Sequence, residues 1–180
     1  MHTPIGKNKT FLFVLLYLLF AFNTHASIVV LNGLTHENQG EVGGNYKGTV
    51  QIQNVGKVEK SVRIYQRDYW FSFTGESKHD PAGTLERSNA KWITLNPELV
   101  TLAPNEKAAI SYEVQIPQNE TLKGTYWSVI MVEGITTPDT TKTEMGVKIN
   151  TAIRYAVQII TNIGNSGKSD LQFVGLELVK

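Results

Sequence analysis

The amino-acid sequence predicts an all-β fold, a sandwich of two sheets with seven or eight strands. Short runs in which apolar and polar side chains alternate recur along the chain, and turn signals rich in Gly, Pro and Asn separate them. No window has the apolar period of an amphipathic helix. Alternation with period two is typical of a strand that buries one face, and this spacing of runs and turns is typical of an immunoglobulin-like sandwich.

The clearest alternating runs lie in the middle of the chain. Residues 48–54 place Val50 and Ile52 on one face, and residues 109–116 alternate in the same way until Pro117 ends the run. Residues 124–134 are apolar on both faces, which predicts a central strand. The predicted strands are 27–31, 48–54, 61–73, 92–95, 99–102, 109–116, 124–134 and 147–161. Two polar segments lie between them: 32–45 is predicted to be a loop or a switched strand, and 75–89 a connection.

Residues 1–26 have the features of a secretory signal peptide. Lys7 and Lys9 form a basic start, residues 11–22 are an unbroken run of twelve apolar residues, and small residues precede Ser27. The alternative, an uncleaved membrane anchor, needs about 20 apolar residues. The sequence therefore predicts an exported protein, periplasmic or at the cell surface, with no membrane span after cleavage.

Charge and cysteine content limit the classes of function. Removal of Lys7 and Lys9 leaves 15 of the 17 basic residues against 16 acidic ones, a net charge of −1. Nucleic-acid binding is not expected, because it depends on a strongly basic face. The chain contains no cysteine, so its core alone must hold the exported domain together.

The segment 147–161 is the most unusual run in the sequence. Apolar residues occupy most of its odd positions, and polar residues are common at the even ones. Fifteen residues are far more than the five or six of an ordinary strand. Such a strand is either a buried closing strand or an edge that accepts another chain, and the sequence leaves both open.

The end of the chain suggests a second unit. Residues 27–162 are predicted to form the sandwich domain, and residues 163–170 have the Gly, Ser and Asn content of a linker. Residues 171–180 begin a further strand, which we interpret as the start of a truncated second domain. The alternative is a strand that folds back onto the first domain.

Several phrases of the sequence resemble PapD-like domains. The run GTVQIQNVGKVEKSVRIY is similar to their strand-turn-strand opening, and WITLNPELVTLAPNEKAAISYEVQIP resembles the segment that follows. GTYWSVIMVE looks like their strand F, and NTAIRYAVQII like their strand G. The resemblance covers about residues 48–161 and implies an immunoglobulin-like fold.

One family with this domain is the periplasmic pilus chaperones, which add their strand G to the sheet of a pilin-like subunit. The resemblance implies a non-enzymatic, chaperone-like protein whose partner is another exported polypeptide. The matching partner-binding side chains are Ile149, Ile153, Tyr155, Val157 and Ile159. The subunit's carboxylate would be held by Lys148 or Arg154, since residues 27–31 contain no basic residue.

The second family is the WxL-interacting cell-surface proteins of Gram-positive bacteria. The phrases LAPNEKAAISYEVQIP and KGTYW resemble their first domain. This resemblance implies the alternative function, a structural surface protein that binds peptidoglycan or a surface partner.

Motifs of catalysis, metal binding and cofactor binding are absent from the sequence. We therefore expect no enzyme activity, no cofactor and no metal. Asp68, Glu76, His79 and Asp80 could surround a cation, but their spacing matches no calcium loop, and solvated loop carboxylates are the favoured interpretation.

A cluster of aromatic residues occupies the second half of the run 61–73. Tyr69, Trp70 and Phe73 could form a surface patch that stacks on sugar rings. Immunoglobulin-like domains also bury a Trp on a related strand, which favours a core position for Trp70 or Phe71.

Overall fold

The computed structural model describes residues 27–135 and 153–164, together with the single residue 175. The predictions for the signal peptide, for positions 148 and 149 and for the strand after the linker lie outside these residues. Ten strands are described: β1 Ile28–Val30, β2 Thr35–Gly40, β3 Asn45–Asn54, β4 Lys60–Phe71, β5 Ser77–Pro81, β6 Ile93–Asn96, β7 Leu99–Leu102, β8 Lys107–Gln115, β9 Gly124–Gly134 and β10 Arg154–Ile163. A 3₁₀ turn, Ala90–Trp92, precedes β6.

The strands form two sheets. The order in the four-stranded sheet is β1-β3-β8-β6, and in the six-stranded sheet it is β2-β10-β9-β4-β5, with β7 also paired to β4. All of these pairs are antiparallel except β2 with β10, which is parallel. The prediction of an all-β, two-sheet sandwich is confirmed, although ten strands are present where seven or eight were expected.

The additional strands, β2 and β5, come from the two polar segments. β2 is the switched strand of the first segment, whereas β5 shows that the prediction of a plain connection for 75–89 was wrong. Both strands lie at the edges of the six-stranded sheet, and most β5 side chains are exposed. They form by backbone hydrogen bonds to β10 and β4, which do not require apolar side chains. Their sequences therefore lack the alternation that predicts a strand.

The core lies between the sheets and follows the alternation in the sequence. Val50 and Ile52 of β3 are fully buried, as are Ile110 and Val114 of β8. β9 is flanked by β4 and β10 and buries residues on both faces, so its prediction as a central strand is confirmed. At about 25 cal/mol per Å² of apolar surface, burial of this kind is the main stabilising term in a chain without disulfides.

Two buried polar groups tie loops to this core. Asn89, just before the 3₁₀ turn, lies between the sheets, where its side chain contacts β9 and β10. Asp68 of β4 is also fully buried and accepts hydrogen bonds from the amides of Gly83, Thr84 and Leu85. Asp68 is therefore neither a solvated carboxylate nor a cation ligand, because loop donors surround it.

Candidate functional site

The two halves of β10 have different neighbours. β9 pairs with β10 along its whole length, Arg154 to Ile163. On the other side, β2 pairs only with Gln158 to Ile163. Within the described part of the chain, no strand pairs with Arg154–Val157 on that side. This half of β10 is an open edge of the six-stranded sheet, and we call it the open edge.

The last hydrogen bond between β10 and the start of β2 shows which backbone groups of β10 point out of the open edge. The amide of Gln158 donates to the carbonyl of Leu34 at 2.8 Å. Because successive residues of a strand direct their backbone groups to opposite sides, Ala156 and Arg154 point in the same direction as Gln158. Two N–H and two C=O groups are therefore available to another strand.

The edge is open because the chain changes sheets at this point. β1 belongs to the four-stranded sheet and β2 to the six-stranded sheet, so residues 31–34 cross between them. Gly33 takes a φ of +88° in this crossover, a conformation that suits glycine. The crossover joins the six-stranded sheet beside Gln158. β2 therefore pairs with the residues from Gln158 onward and not with Arg154–Val157.

The predicted partner-binding side chains occupy different environments. Val157 and Ile159 are fully buried in the domain's own core. Tyr155 is half-buried and packs against that core, whereas the side chain of Ile153 is 49% exposed. Ile153 is therefore the most accessible of these residues, while Ile149 lies outside the described part. Their role in binding stays a prediction.

Arg154, one of the two predicted carboxylate anchors, already pairs with a carboxylate of its own domain. Its Nε lies 2.8 Å from Oε1 of Glu133, the residue opposite it on β9. Oε2 of Glu133 accepts hydrogen bonds from Arg63 Nη2 at 3.1 Å and from the Tyr65 hydroxyl at 3.0 Å. The Arg154 side chain is still 56% exposed, so its remaining N–H groups face solvent. The anchor role of Arg154 stays a prediction, and Lys148 lies outside the described residues.

Glu133 is ionised in this setting. Burial alone would raise the pKa of its carboxyl, but the hydrogen bonds from Tyr65, Arg154 and Arg63 outweigh burial and hold the pKa below its usual value. Burial and the Glu133 carboxylate together raise the pKa of the Tyr65 hydroxyl, which therefore remains a proton donor. The cluster presents two guanidinium groups around one carboxylate.

The aromatic cluster lies at the far end of β4, where the strand separates from β9. Pairing with β9 ends at Arg67, so only β5 flanks the last four residues of β4. Trp70 is 36% exposed, Phe71 is 57% exposed and Phe73 is fully exposed. The expectation of a core position for Trp70 or Phe71 was wrong, because both side chains are exposed where β4 pairs with β5 alone. Sugar stacking on this patch stays a prediction.

Tyr69 connects the exposed aromatic residues to the sheet. Its ring lies 5.6 Å from the ring of Phe71 and 5.5 Å from that of His79. Its backbone carbonyl accepts a hydrogen bond from Trp127 Nε1 at 2.8 Å. On the opposite face of the same hairpin, the ammonium of Lys78 lies 5.2 Å from the Trp70 ring.

The described residues contain neither a cluster of metal-ligating side chains nor a helix that could span a membrane. In 27–135 and 153–164, no three His, Cys, Asp or Glu side chains come close enough together to hold a metal ion. The same part of the chain contains no helix long and apolar enough to cross a membrane.

Comparison with known proteins identifies the fold. No family model and no curated protein matches the sequence. Among solved structures, the class 5 fimbriae chaperone CfaA is similar at 17% identity and a TM-score of 0.51, over 79% of this chain and 59% of that chain. A chain of a chaperone–tip adhesin complex, vital for synergistic activation of CFA/I fimbriae biogenesis, is similar at 14% identity and a TM-score of 0.54, over 78% of this chain and 57% of that chain.

A human protein has the same architecture. The ASH / PapD-like domain 7 of human CEP192 is similar at 12% identity and a TM-score of 0.50, over 78% of this chain and 87% of that chain. The present chain thus spans less than two thirds of the two fimbrial chains but most of the CEP192 domain. At these identities the likeness establishes architecture rather than function. The sandwich has a PapD-like, immunoglobulin-like fold.

Proposed function

We propose that this chain is an exported, non-enzymatic binding module that holds another polypeptide by β-strand addition at the open edge of β10. The observation that carries the proposal is the pair of residues Arg154 and Ala156, whose backbone groups point away from β9 with no strand beside them in the described part. In strand addition, such groups provide the affinity and neighbouring side chains provide the selectivity.

The surroundings of the open edge favour a strand as the ligand. An added strand would lie end to end with β2, in the space that the chain leaves when it crosses to β1. Leu34 at one end and Ile153 at the other are 47% and 49% exposed and would contact it. Apolar side chains beside unpaired backbone are what natural sheet edges usually avoid unless another chain covers them.

The proposed biological role is chaperone-like assistance in the assembly of surface structures. The likeness to a fimbrial chaperone and to a chaperone–tip adhesin complex supports it at the level of fold. In that role the partner is an exported subunit that lacks a strand. Export itself rests on the signal-peptide features of residues 1–26. The alternative, a surface protein bound to peptidoglycan, stays a prediction of the sequence.

Replacing Ala156 by proline should weaken partner binding at least tenfold. Proline removes an N–H that points out of the sheet, so one bond to the added strand is lost while the ladder with β9 remains. Loss of that bond and the steric effect of the ring together correspond to about 1.4 kcal/mol or more. The partner would be isolated from the exported proteins of the source cells on the wild-type chain, purified, and its dissociation constant measured by calorimetry.

The matched control is Ala156→Val, which changes the same side chain but keeps the N–H. It should bind the partner within about twofold of wild type, because valine suits a strand. Amide exchange at Arg154 and Ala156 should also slow when the partner binds. Equal affinities for the proline and valine variants, or unchanged exchange at these two amides, would show that the partner binds elsewhere.

A further inference from the structure

The outer face of the six-stranded sheet carries a row of cationic and aromatic side chains. Arg63, Tyr65, Arg67, Tyr69 and Phe71 alternate along β4 with its core residues and therefore share this face. The guanidinium of Arg63 lies 5.4 Å from the centre of the Tyr65 ring, and that of Arg67 lies 5.5 Å from it on the other side along the strand. Tyr65 is thus held between two cations, a favourable arrangement for both.

Beside this row is a cavity of about 380 Å³. Four adjacent strands contribute to its walls, so the sheet itself shapes the cavity. Met131 of β9 lies between the side chains from β4 and those from β10. The lining residues are Tyr65, Arg67, His79, Met131, Arg154 and Ala156. The volume lies within the range of small-ligand sites.

The charges around the cavity do not balance. Glu133 is the carboxylate that pairs with Arg63 and Arg154, and it uses one N–H of each. In the described part of the chain, no carboxylate lies within 4 Å of the Arg67 guanidinium. Two guanidinium groups, those of Arg67 and Arg154, therefore line the cavity, and no carboxylate is among its lining residues. When the neighbouring Arg63 and Glu133 are included, three guanidinium groups accompany one carboxylate, an excess of two positive charges.

The environment of Arg67 favours the binding of a ligand by its guanidinium group. It is half-buried, and the Tyr65 ring restricts its motion, so less side-chain entropy is lost when it binds. Guanidinium groups bind carboxylates and phosphates through paired, charge-assisted hydrogen bonds. Arg154 lines the same cavity from β10, and Glu133 uses one of its N–H groups.

We propose that this cavity binds a small organic anion. Its carboxylate or phosphate group pairs with the Arg67 guanidinium, the positive charge of Arg154 adds to the attraction, and its uncharged body lies over Met131 and against Tyr65. The site uses side chains of the outer face, whereas strand addition uses backbone groups of the open edge, so each can exist without the other.

The test is a titration of the ¹⁵N-labelled protein with three probes that share one sugar ring: glucuronate, glucose 6-phosphate and neutral glucose. Saturable shifts are expected at Arg67, His79, Met131, Arg154 and Ala156 with at least one of the two anions and not with glucose. Tighter binding of glucuronate identifies a carboxylate ligand, and tighter binding of glucose 6-phosphate identifies a phosphate ligand. The absence of saturable shifts at these residues with both anions overturns the proposal.

Arg67→Gln should weaken the binding of the preferred anion at least tenfold. The matched control is Lys107→Gln, which removes one positive charge from an exposed position on the four-stranded sheet and should leave the affinity within twofold. Equal weakening by both variants would mean that net charge alone attracts the anion, contrary to the proposal. Ala156→Leu provides a second test, because it fills the cavity without a change of charge and should also abolish the shifts.

Discussion

Replacing Asp68 by alanine should lower the free energy of unfolding by about 3–4 kcal/mol. The carboxylate is fully buried and accepts hydrogen bonds from three consecutive backbone amides, those of Gly83, Thr84 and Leu85, at 2.6–2.8 Å. The hydroxyl of Ser88 donates a fourth. Alanine would leave all four donors without an acceptor and would release the loop after β5 from β4. Urea unfolding of the two proteins at pH 7 measures the difference.

Asp80→Ala is the matched control for this prediction. Asp80 lies opposite Asp68 in the β4–β5 pair but is partly exposed. Its removal should change the free energy of unfolding by no more than about 0.5 kcal/mol, as is usual for surface positions. If Asp68→Ala lowered the free energy of unfolding by less than about 1 kcal/mol, water would be able to accept the four hydrogen bonds in place of the carboxylate, contrary to the prediction.

The Asp68 effect should also depend on pH. Burial alone would raise the pKa of this carboxyl, but the hydrogen bonds from Ser88, Leu85, Gly83 and Thr84 outweigh burial and lower the pKa below its ordinary value. A lowered pKa in the folded state stabilises the fold above the unfolded-state pKa of about 3.9, and this stabilisation is lost as the pH falls through the folded-state pKa. The stability difference between wild type and Asp68→Ala should therefore shrink below about pH 4. An unchanged difference at pH 3 would show that the charge contributes nothing.

Replacing Asn89 by alanine should cost about 2–4 kcal/mol. Its Nδ2 donates to the carbonyl of Ile159 at 3.1 Å and to Oγ1 of Thr161 at 2.9 Å, and its Oδ1 accepts a hydrogen bond from the hydroxyl of Ser128. Tyr46 of β3 continues this buried network by a 2.7 Å contact with Thr161. Alanine would leave the polar groups of β9 and β10 unsatisfied between the two sheets, where water has little access.

Thermal or urea unfolding tests the Asn89 prediction, with Asn45→Ala as the control. Asn45 is exposed, and its contact with Glu113 is a long one of 3.4 Å, so its removal should change the stability by less than about 0.5 kcal/mol. Amide exchange should also accelerate in the Gln158–Ile163 half of β10 in the Asn89 variant. Equal stabilities of the two variants would exclude the buried network as a stabilising element.

Strands that bury at least one face could be predicted from the sequence. In β3 and β8 the apolar side chains that alternate are those between the sheets, and in β9 both faces are covered. β2 and β5 left no such signal, because an edge strand forms through its backbone and its side chains can remain polar. The burial of Asp68 was missed for a related reason: the amides that bind it come from a loop 15–17 residues later in the chain.

The candidate site was predicted only in part. The alternation of residues 147–161 identified the strand that carries the open edge, but it did not distinguish a buried strand from an open one. β10 is both: its odd-numbered side chains lie in the core, while the backbone of its first half lacks a neighbour on one side in the described part. The cavity beside Tyr65 gave no contiguous signal, since its lining residues come from four strands.

The sequence by itself determined the fold class, the central strand and the long strand that carries the open edge, because these depend on the period of side chains along a single segment. The tertiary structure decided which half of that strand is open and which cations surround one cavity. The open half depends on where the chain crosses at Gly33 from one sheet to the other, and the cavity depends on the register of β4, β5, β9 and β10. Neither is encoded in a local pattern, because each arises only when segments that are distant in the sequence pair side by side.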